Sequence, residues 1–335
     1  MRNPSCFLYG PGIAKIGDQP VHFWRHGGIQ TPLTEPLVMG HEASGTIAAV
    51  GSSVTSVQVG DRVAIEPGHP CRRCERCKEG GRYNLCRRVR FAAAPPDAHG
   101  LLCKFWKAPE DFVYRVADEE VTLQEMALLE PLAVAVHAAR LAQIRPGITV
   151  AVTGCGTVGL LCAAVAVRVF GALRAIVLDI TGAKVDFARG YLGPQAGAYL
   201  LDRAATAEGN AVAVARRLGV GADGVDTVIE ASGAESSIQL GIYLVKAGGS
   251  YVQTGLGQPK PRVPMLALSE KELRVMGCFR YSAGDFALAA NVVERRLVDL
   301  KPLISSITPF ERATDAWEMT GRGDGIKNLI EGVRD

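Results

Sequence analysis

The sequence has little net charge. Thirty-seven Lys and Arg stand against 34 Asp and Glu, leaving +3, so no global field pulls it toward nucleic acid. Aromatic residues are scarce, at 6% with three Trp, which leaves few platforms for stacked bases. No apolar run reaches the roughly 18 residues of a membrane span, and the stretch from Leu160 to Phe170 is interrupted by Arg168. The opening MRNPSCFLYG lacks the basic stretch and long apolar run of a secretion signal. These absences predict a soluble cytoplasmic protein that handles a small molecule, with neither nucleic acid nor membrane as partner. At 335 residues, the chain has room for two ordinary domains.

Turn formers are plentiful: 38 Gly and 18 Pro without a collagen-like period point to many tight turns. Up to about residue 130, short apolar pieces lie between them: Ala43–Val50, Arg62–Ile65 and Asp111–Val116. Alternation and β-branched residues there predict an all-β region. Met126–Leu141 is apolar and Ala-rich, and predicts a helix entering a second domain. Strands are then expected at Ile148–Thr153, Ala175–Asp179, Asp226–Glu230, Ser250–Thr254 and Leu273–Gly277. Helices are expected at Val158–Phe170, Lys184–Tyr191 and Glu235–Lys246, the last stopped by Gly248 and Gly249. This alternation predicts an α/β layer with a parallel sheet covered on both faces, over roughly 133–275. The remainder predicts helices at Asp285–Glu294 and Phe310–Met319 around a strand at Leu303–Thr308.

The turn Val152–Gly159 carries Gly154, Gly156 and Gly159 between a predicted strand and a predicted helix. Asp179 closes the next strand, twenty residues beyond Gly159. That context suits a dinucleotide fingerprint: a tight turn, close backbone approach to a pyrophosphate, and a helix N-terminus facing the phosphates. Asp179 would accept from the adenosine ribose diol and repel a 2′-phosphate, favouring NAD over NADP. Lys184, on the same edge, slightly weakens that exclusion. The bland reading is a tight βα turn in some other α/β protein.

Cys71, Cys74, Cys77 and Cys86 crowd into sixteen positions, which reads as thiolates on a metal rather than a disulfide framework. Four soft ligands would enclose tetrahedral zinc with no open position, a structural site. Iron–sulfur and a nucleic-acid finger are the alternatives; the finger lacks a histidine pair, and the rest of the chain is not basic. Cys6, Cys103, Cys155, Cys162 and Cys278 read as small buried hydrophobes. His41-Glu42 alone could be a surface pair. Glu130 is more informative, because a carboxylate inside Ala127–Ala133 needs a partner. His137 could join it or be an ordinary core histidine. Arg280-Tyr281, after a predicted strand, could bind substrate hydroxyls.

Together these residues resemble the zinc-dependent medium-chain dehydrogenases, and within them the polyol branch of sorbitol, xylitol and L-arabinitol dehydrogenases. The resemblance runs from Val21 to about Leu329. It is carried by Val21-His-Phe-Trp-Arg-His-Gly27, Gly40-His-Glu-Ala-Ser-Gly45, Gly60-Asp-Arg-Val63, the cysteine loop with Tyr83-Asn-Leu-Cys86, Leu129-Glu-Pro-Leu132 and Gly277-Cys-Phe-Arg-Tyr281. It implies a GroES-like, mostly-β catalytic domain over 1–132 (N-terminally incomplete), completed by 276–335. A Rossmann doubly wound NAD-binding domain would be inserted over 133–275, with nicotinamide and substrate in a cleft between the two.

The resemblance further implies His41, Glu42 and Glu130 at a catalytic zinc. Phe23, Glu130, Arg280 and Tyr281 would lie at the substrate. NAD contacts would come from Gly154, Gly156, Val158, Gly159, Asp179, Lys184, Thr254, Gly255, Leu256, Cys278, Phe279 and Arg280. It implies a homotetramer or homodimer that oxidises a polyol to a ketose.

One departure stands out. Where the family runs a Gly-Ile-Cys-Gly-Ser-Asp-type segment into the Val-His-Phe-Trp stretch, this chain has Ile16-Gly-Asp-Gln-Pro20. The cysteine ligand and relay serine of the family are missing there, through an internal loss of roughly two dozen residues around position 20. The expectation is a chain that binds NAD but oxidises polyols feebly. The alternatives are a related alcohol dehydrogenase acting on a secondary metabolite, or a catalytically silent NAD-binding protein.

Overall fold

The computed structural model describes residues 7–10, 13–15, 36–79, 81–94, 98–194, 196–221 and 223–333. The chain forms two compact units. The first comprises residues 1–130, 282–294 and 299–335; the second comprises 131–281 and 295–298.

The first unit is built from short strands. They are β1 (Phe7–Gly10), β2 (Ile13–Lys15), β3 (Leu37–Val38), β4 (Ala43–Thr46), β5 (Arg62–Ile65), β6 (Gly68–His69), β7 (Arg90–Phe91) and β8 (Val113–Arg115). They pair antiparallel in three small sheets: β2-β1-β3, β4-β5-β8 and β6-β7. The β-region expected from the turn-rich sequence is present, but β4 ends at Thr46, short of the predicted Val50. The helical stretch predicted from Met126 is two helices, Leu123–Ala127 and Leu129–Leu141. Pro131 falls in the first turn of the second, where a missing N–H costs no hydrogen bond. Thr122 starts the first helix with a capping box: its hydroxyl accepts from Glu125 N–H, and the Glu125 carboxylate accepts from Thr122 N–H.

The second unit is a six-stranded, wholly parallel sheet of β9 (Thr149–Thr153), β10 (Arg174–Asp179), β11 (Ala196–Leu200), β12 (Val225–Glu230), β13 (Val245–Gln253) and β14 (Arg274–Gly277). Its order is β11-β10-β9-β12-β13-β14. β9, β10 and β12 are buried nearly throughout, as a sheet covered on both faces requires. Helices Thr157–Arg168, Gly182–Leu192, Ala207–Leu218 and Glu235–Leu244 connect the strands. The predicted helix to Lys246 ends sooner: Val245 already has extended backbone and opens β13. Order reverses beside β9, because β10 lies on one side of it and β12 on the other. In a doubly wound sheet that switch point opens the crevice that receives ligands. The chain's last strands, β15 (Ile304–Thr308) and β16 (Lys327–Ile330), pair parallel in the first unit. No helix among the described residues is long and apolar enough to cross a membrane.

A buried acid ties the cysteine loop to the sheets of the first unit. Glu66 follows β5, is 3% exposed, and donates its backbone N–H to Phe112 O at 2.9 Å. Its carboxyl accepts from Tyr83 of the cysteine loop and, at 2.7 Å, from Tyr114 of β8. Burial pushes Glu66 up to about 7 against the opposing pull of the two tyrosines. The unfolded chain releases this proton near pH 4.5 and the folded chain near 7, so the unfolded state holds fewer protons between them. Stability therefore falls by about 3 kcal/mol as pH rises through that window and is level above it. Glu66→Gln is expected to remove this slope, measured as the urea midpoint at pH 5 and pH 7.5. An unchanged slope would contradict it.

Candidate metal centres and dinucleotide crevice

The four cysteines meet as their spacing suggests. Their sulfurs all lie within 4.8 Å of one another. Cys71 and Cys77 Sγ are 3.9 Å apart, and Cys74 and Cys77 Sγ 3.4 Å. Four sulfurs about 2.3 Å from one zinc stand roughly 3.8 Å apart, so the donor set fits that ion. Local structure explains the convergence: the short helix Glu75–Lys78 brings Cys77 back over Cys74, and the 3-10 turn Tyr83–Leu85 presents Cys86 at its end. The backbone N–H groups of Arg73 and Cys74, with Arg88, lower the Cys71 thiol to about 5. Burial and the neighbouring thiols of Cys74 and Cys86 hold Cys77 up, at about 12. A bound dication would supply positive charge to offset the thiolates.

The second group is assembled from distant segments. His41 and Glu42 precede β4, and Glu130 opens the long helix; their ligand atoms also lie within 4.8 Å of one another. Glu130 is 5% exposed. Glu42 accepts from the ammonium of Lys327, on β16. Burial lowers Lys327 to about 8. Sequence reasoning missed this lysine; a lone charge in Lys327–Ile330 was its only signal. His41 also packs on Phe91, ring centroids 5.5 Å apart. One nitrogen and two carboxylates form an N/O set that zinc accepts, with a fourth position left for substrate. A cavity of about 610 Å³ borders His41, Glu42 and Lys327, walled by Leu101, Phe310 and Trp317. His137 is not in either metal-ligating group.

The predicted glycine turn leaves β9 and enters the helix at Thr157. Gly154 has φ +97°, and a Cβ there would press on Ser232 at 3.1 Å, so both its conformation and its packing require glycine. Asp179 ends β10, and its carboxylate accepts from Cys155 N–H and Thr181 N–H, each at 2.8 Å. Those bonds aim the acid across the turn. Thr254, Gly255 and Leu256 follow β13, while Cys278, Phe279, Arg280 and Tyr281 follow β14. Arg280 has φ +57° and stacks on Phe279, 4.7 Å from its ring. Tyr281 is 1% exposed, inside the second unit. Phe23 and Cys6 lie outside the described residues. Cys155, Cys162 and Cys278 are buried as expected, but Cys103 is only half-buried.

Two family models match. The Alcohol dehydrogenase GroES-like domain covers residues 15–118, and the Zinc-binding dehydrogenase model covers 157–295. A probable D-xylulose reductase A of Aspergillus clavatus is 46% identical over 336 residues, spanning 100% of this chain and 92% of the relative. The chain belongs to the zinc-dependent medium-chain dehydrogenases. Another relative in this dehydrogenase family, D-xylulose reductase A of Aspergillus oryzae, is 47% identical across 99% of this chain and 91% of its own. Among solved dehydrogenases, an Escherichia coli oxidoreductase of unknown specificity involved in membrane biogenesis superposes with a TM-score of 0.88. It has 27% identity, and all of both chains is covered. L-idonate 5-dehydrogenase of E. coli reaches 0.85 at 22% identity, over 98% of this chain and 97% of that one, and shows the same fold.

Proposed function

We propose that this dehydrogenase oxidises a secondary alcohol of a polyol (xylitol, sorbitol or L-arabinitol type) to the ketose, with NAD and zinc as cofactors. The observation that carries the reading is the meeting of His41, Glu42 and Glu130 within 4.8 Å, supported by D-xylulose reductases as relatives. Bound zinc supplies polarisation of the alcohol, and bound NAD takes the hydride. His41, Glu42 and Glu130 would hold the catalytic ion, with Lys327 paired to Glu42. Cys71, Cys74, Cys77 and Cys86 would hold the structural one. Residues 133–275 serve the cofactor. The Gly154–Gly159 turn receives the pyrophosphate, with Val158 beside it. Asp179 receives the adenosine ribose, and Lys184 flanks it. Thr254, Gly255, Leu256, Cys278, Phe279 and Arg280 complete the cofactor contacts. Residues 1–132 and 276–335 serve catalysis, where Phe23, Glu130, Arg280 and Tyr281 meet the polyol.

Among the described residues the His41 group contains no thiolate, and an all-N/O set holds zinc less tightly than one with sulfur. Turnover is accordingly low as isolated and rises with added zinc. Arg280 and Tyr281 would offer a guanidinium and a phenol to a ligand with several hydroxyls. We assign a homotetramer or homodimer, supported by the exposed edge strand β14, whose Val275 and Met276 are 46% and 43% exposed. The whole reading is tested by following NADH formation with a panel of polyols and simple alcohols under a zinc series. NADH with polyols, rising with zinc, is expected. Turnover confined to simple alcohols, or none at any zinc level, would overturn it.

A further inference from the structure

Glu230 ends β12 and is 0% exposed. Its carboxylate is surrounded by donors. Thr153 Oγ1, at the end of β9, donates to it at 3.1 Å. Ser232 N–H donates at 2.9 Å, joined by the Ser232 hydroxyl. Gly233 N–H donates at 2.9 Å to Oε2. Gln253 Nε2, at the end of β13, donates at 2.7 Å. The backbone oxygen of Glu230 accepts from Thr254 N–H and Gly255 N–H, each at 2.8 Å. One residue thus ties together the ends of three adjacent strands at the switch point.

Three nitrogen donors converge on the two carboxyl oxygens, so both oxygens serve as acceptors. The orientation of Gln253 is fixed from behind, because its Oε1 accepts from Tyr251 OH at 2.6 Å. The amide nitrogen must therefore face Glu230. The Ser232 hydroxyl is likewise oriented, since it accepts from Ala234 N–H at 3.2 Å. A Cβ at Gly255 would lie 2.5 Å from Glu230 Oε2, so the loop after β13 closes directly over the acid. A Cβ at Gly154 of the glycine turn would lie 3.1 Å from the same Ser232. Burying a carboxylate with no cation among these contacts is costly for a purely structural tie, which an apolar side chain fills more cheaply. Thr254 Oγ1 adds a second sign: it is buried beside this network with no hydrogen-bond partner among the described residues, and a buried hydroxyl without a partner marks a place where one arrives from outside.

We propose that Glu230 is a positioning residue for the dinucleotide. Its carboxylate clasps the loops after β9, β12 and β13 into the shape that receives the nicotinamide half. The inference rests on the dinucleotide reading above. It extends that reading because Asp179 and the glycine turn, on β9 and β10, serve the adenosine and pyrophosphate half. The β12 and β13 side is left for the other half.

The test is calorimetric binding of NADH and of ADP to the full chain, wild type and Glu230→Gln, with circular dichroism for folding. In the variant an amide N–H₂ must face Gln253 Nε2 or the loop N–H groups, donor against donor. NADH affinity is expected to fall about tenfold or more, the worth of a lost charge-assisted bond, while ADP affinity stays within about twofold. Gln253→Ala, which removes one donor and leaves the acid, is expected to give a smaller loss with the same selectivity. It serves should Glu230→Gln fail to fold. Asp179→Ser is the control that weakens both ligands. Unchanged NADH binding in both clasp variants, or equal losses of NADH and ADP, would overturn the proposal. If the wild-type chain takes up neither ligand, the dinucleotide reading itself falls and the clasp with it.

Discussion

Replacing His41 with alanine is expected to lower NAD-dependent polyol oxidation by about a thousandfold or more at saturating zinc, with NADH affinity unchanged. The size follows from the chemistry. Polarising an alcohol by a metal is worth several kcal/mol at the transition state, and each 1.4 or so is a factor of ten. His41 supplies the only nitrogen of a three-donor set whose other members are carboxylates. Losing it leaves two acids, one already shared with Lys327. The measurement is kcat with xylitol and sorbitol beside NADH binding by fluorescence. Retained activity would mean that the reacting alcohol is activated elsewhere. Equal loss of NADH binding would mean that the substitution damaged the fold.

The second large effect concerns the other metal group. Cys86→Ser is expected to abolish zinc binding at the cysteine loop and to cost on the order of 5 kcal/mol of stability, because structural zinc sites contribute their binding free energy to folding. Cys86 is 3% exposed and sits at the end of the turn that carries Tyr83, which in turn donates to buried Glu66. Releasing the loop therefore also loosens the contact between it and β5. Chelator titration with thermal melting checks this: the variant should melt lower and lose its sensitivity to chelator. A variant that melts like the wild type would show that the four sulfurs hold no structural ion.

Much of this was legible in the residues, for physical reasons. The parallel sheet was legible because its central strands are buried on both faces, so β9, β10 and β12 carry short apolar cores such as residues 150–152, 175–178 and 228–229. The glycine turn was legible because Gly154 needs a positive φ and Asp179 lies where the next strand ends. β11, Ala196–Leu200, was not, because a half-buried Ala-Gly-Ala edge has neither alternation nor bulk. The helix Ala207–Leu218 was missed, although Thr206 caps it by accepting from Gly209 N–H. Cys71, Cys74, Cys77 and Cys86 were legible from spacing alone, since one loop supplies them all. The His41 group was legible only through the family resemblance: its members are distant in sequence, and taken alone only the apolar setting of Glu130 hinted at a partner. The same argument, a carboxyl next to buried apolar strand residues, applies to Glu66 just after β5 and to Glu230 at the end of β12. Partners such as Lys327 and Tyr83 arise from tertiary packing, which no local pattern encodes.

The central claim is that residues far apart in the chain hold an ion without help from sulfur. It is tested most directly by counting zinc per chain in the wild type and in His41→Ala after equilibration with excess zinc and removal of the free metal. The account predicts two ions in the wild type, one resistant to mild chelation and one readily lost, and a single resistant ion in the variant. One ion in both proteins, bound through sulfur alone, would contradict it.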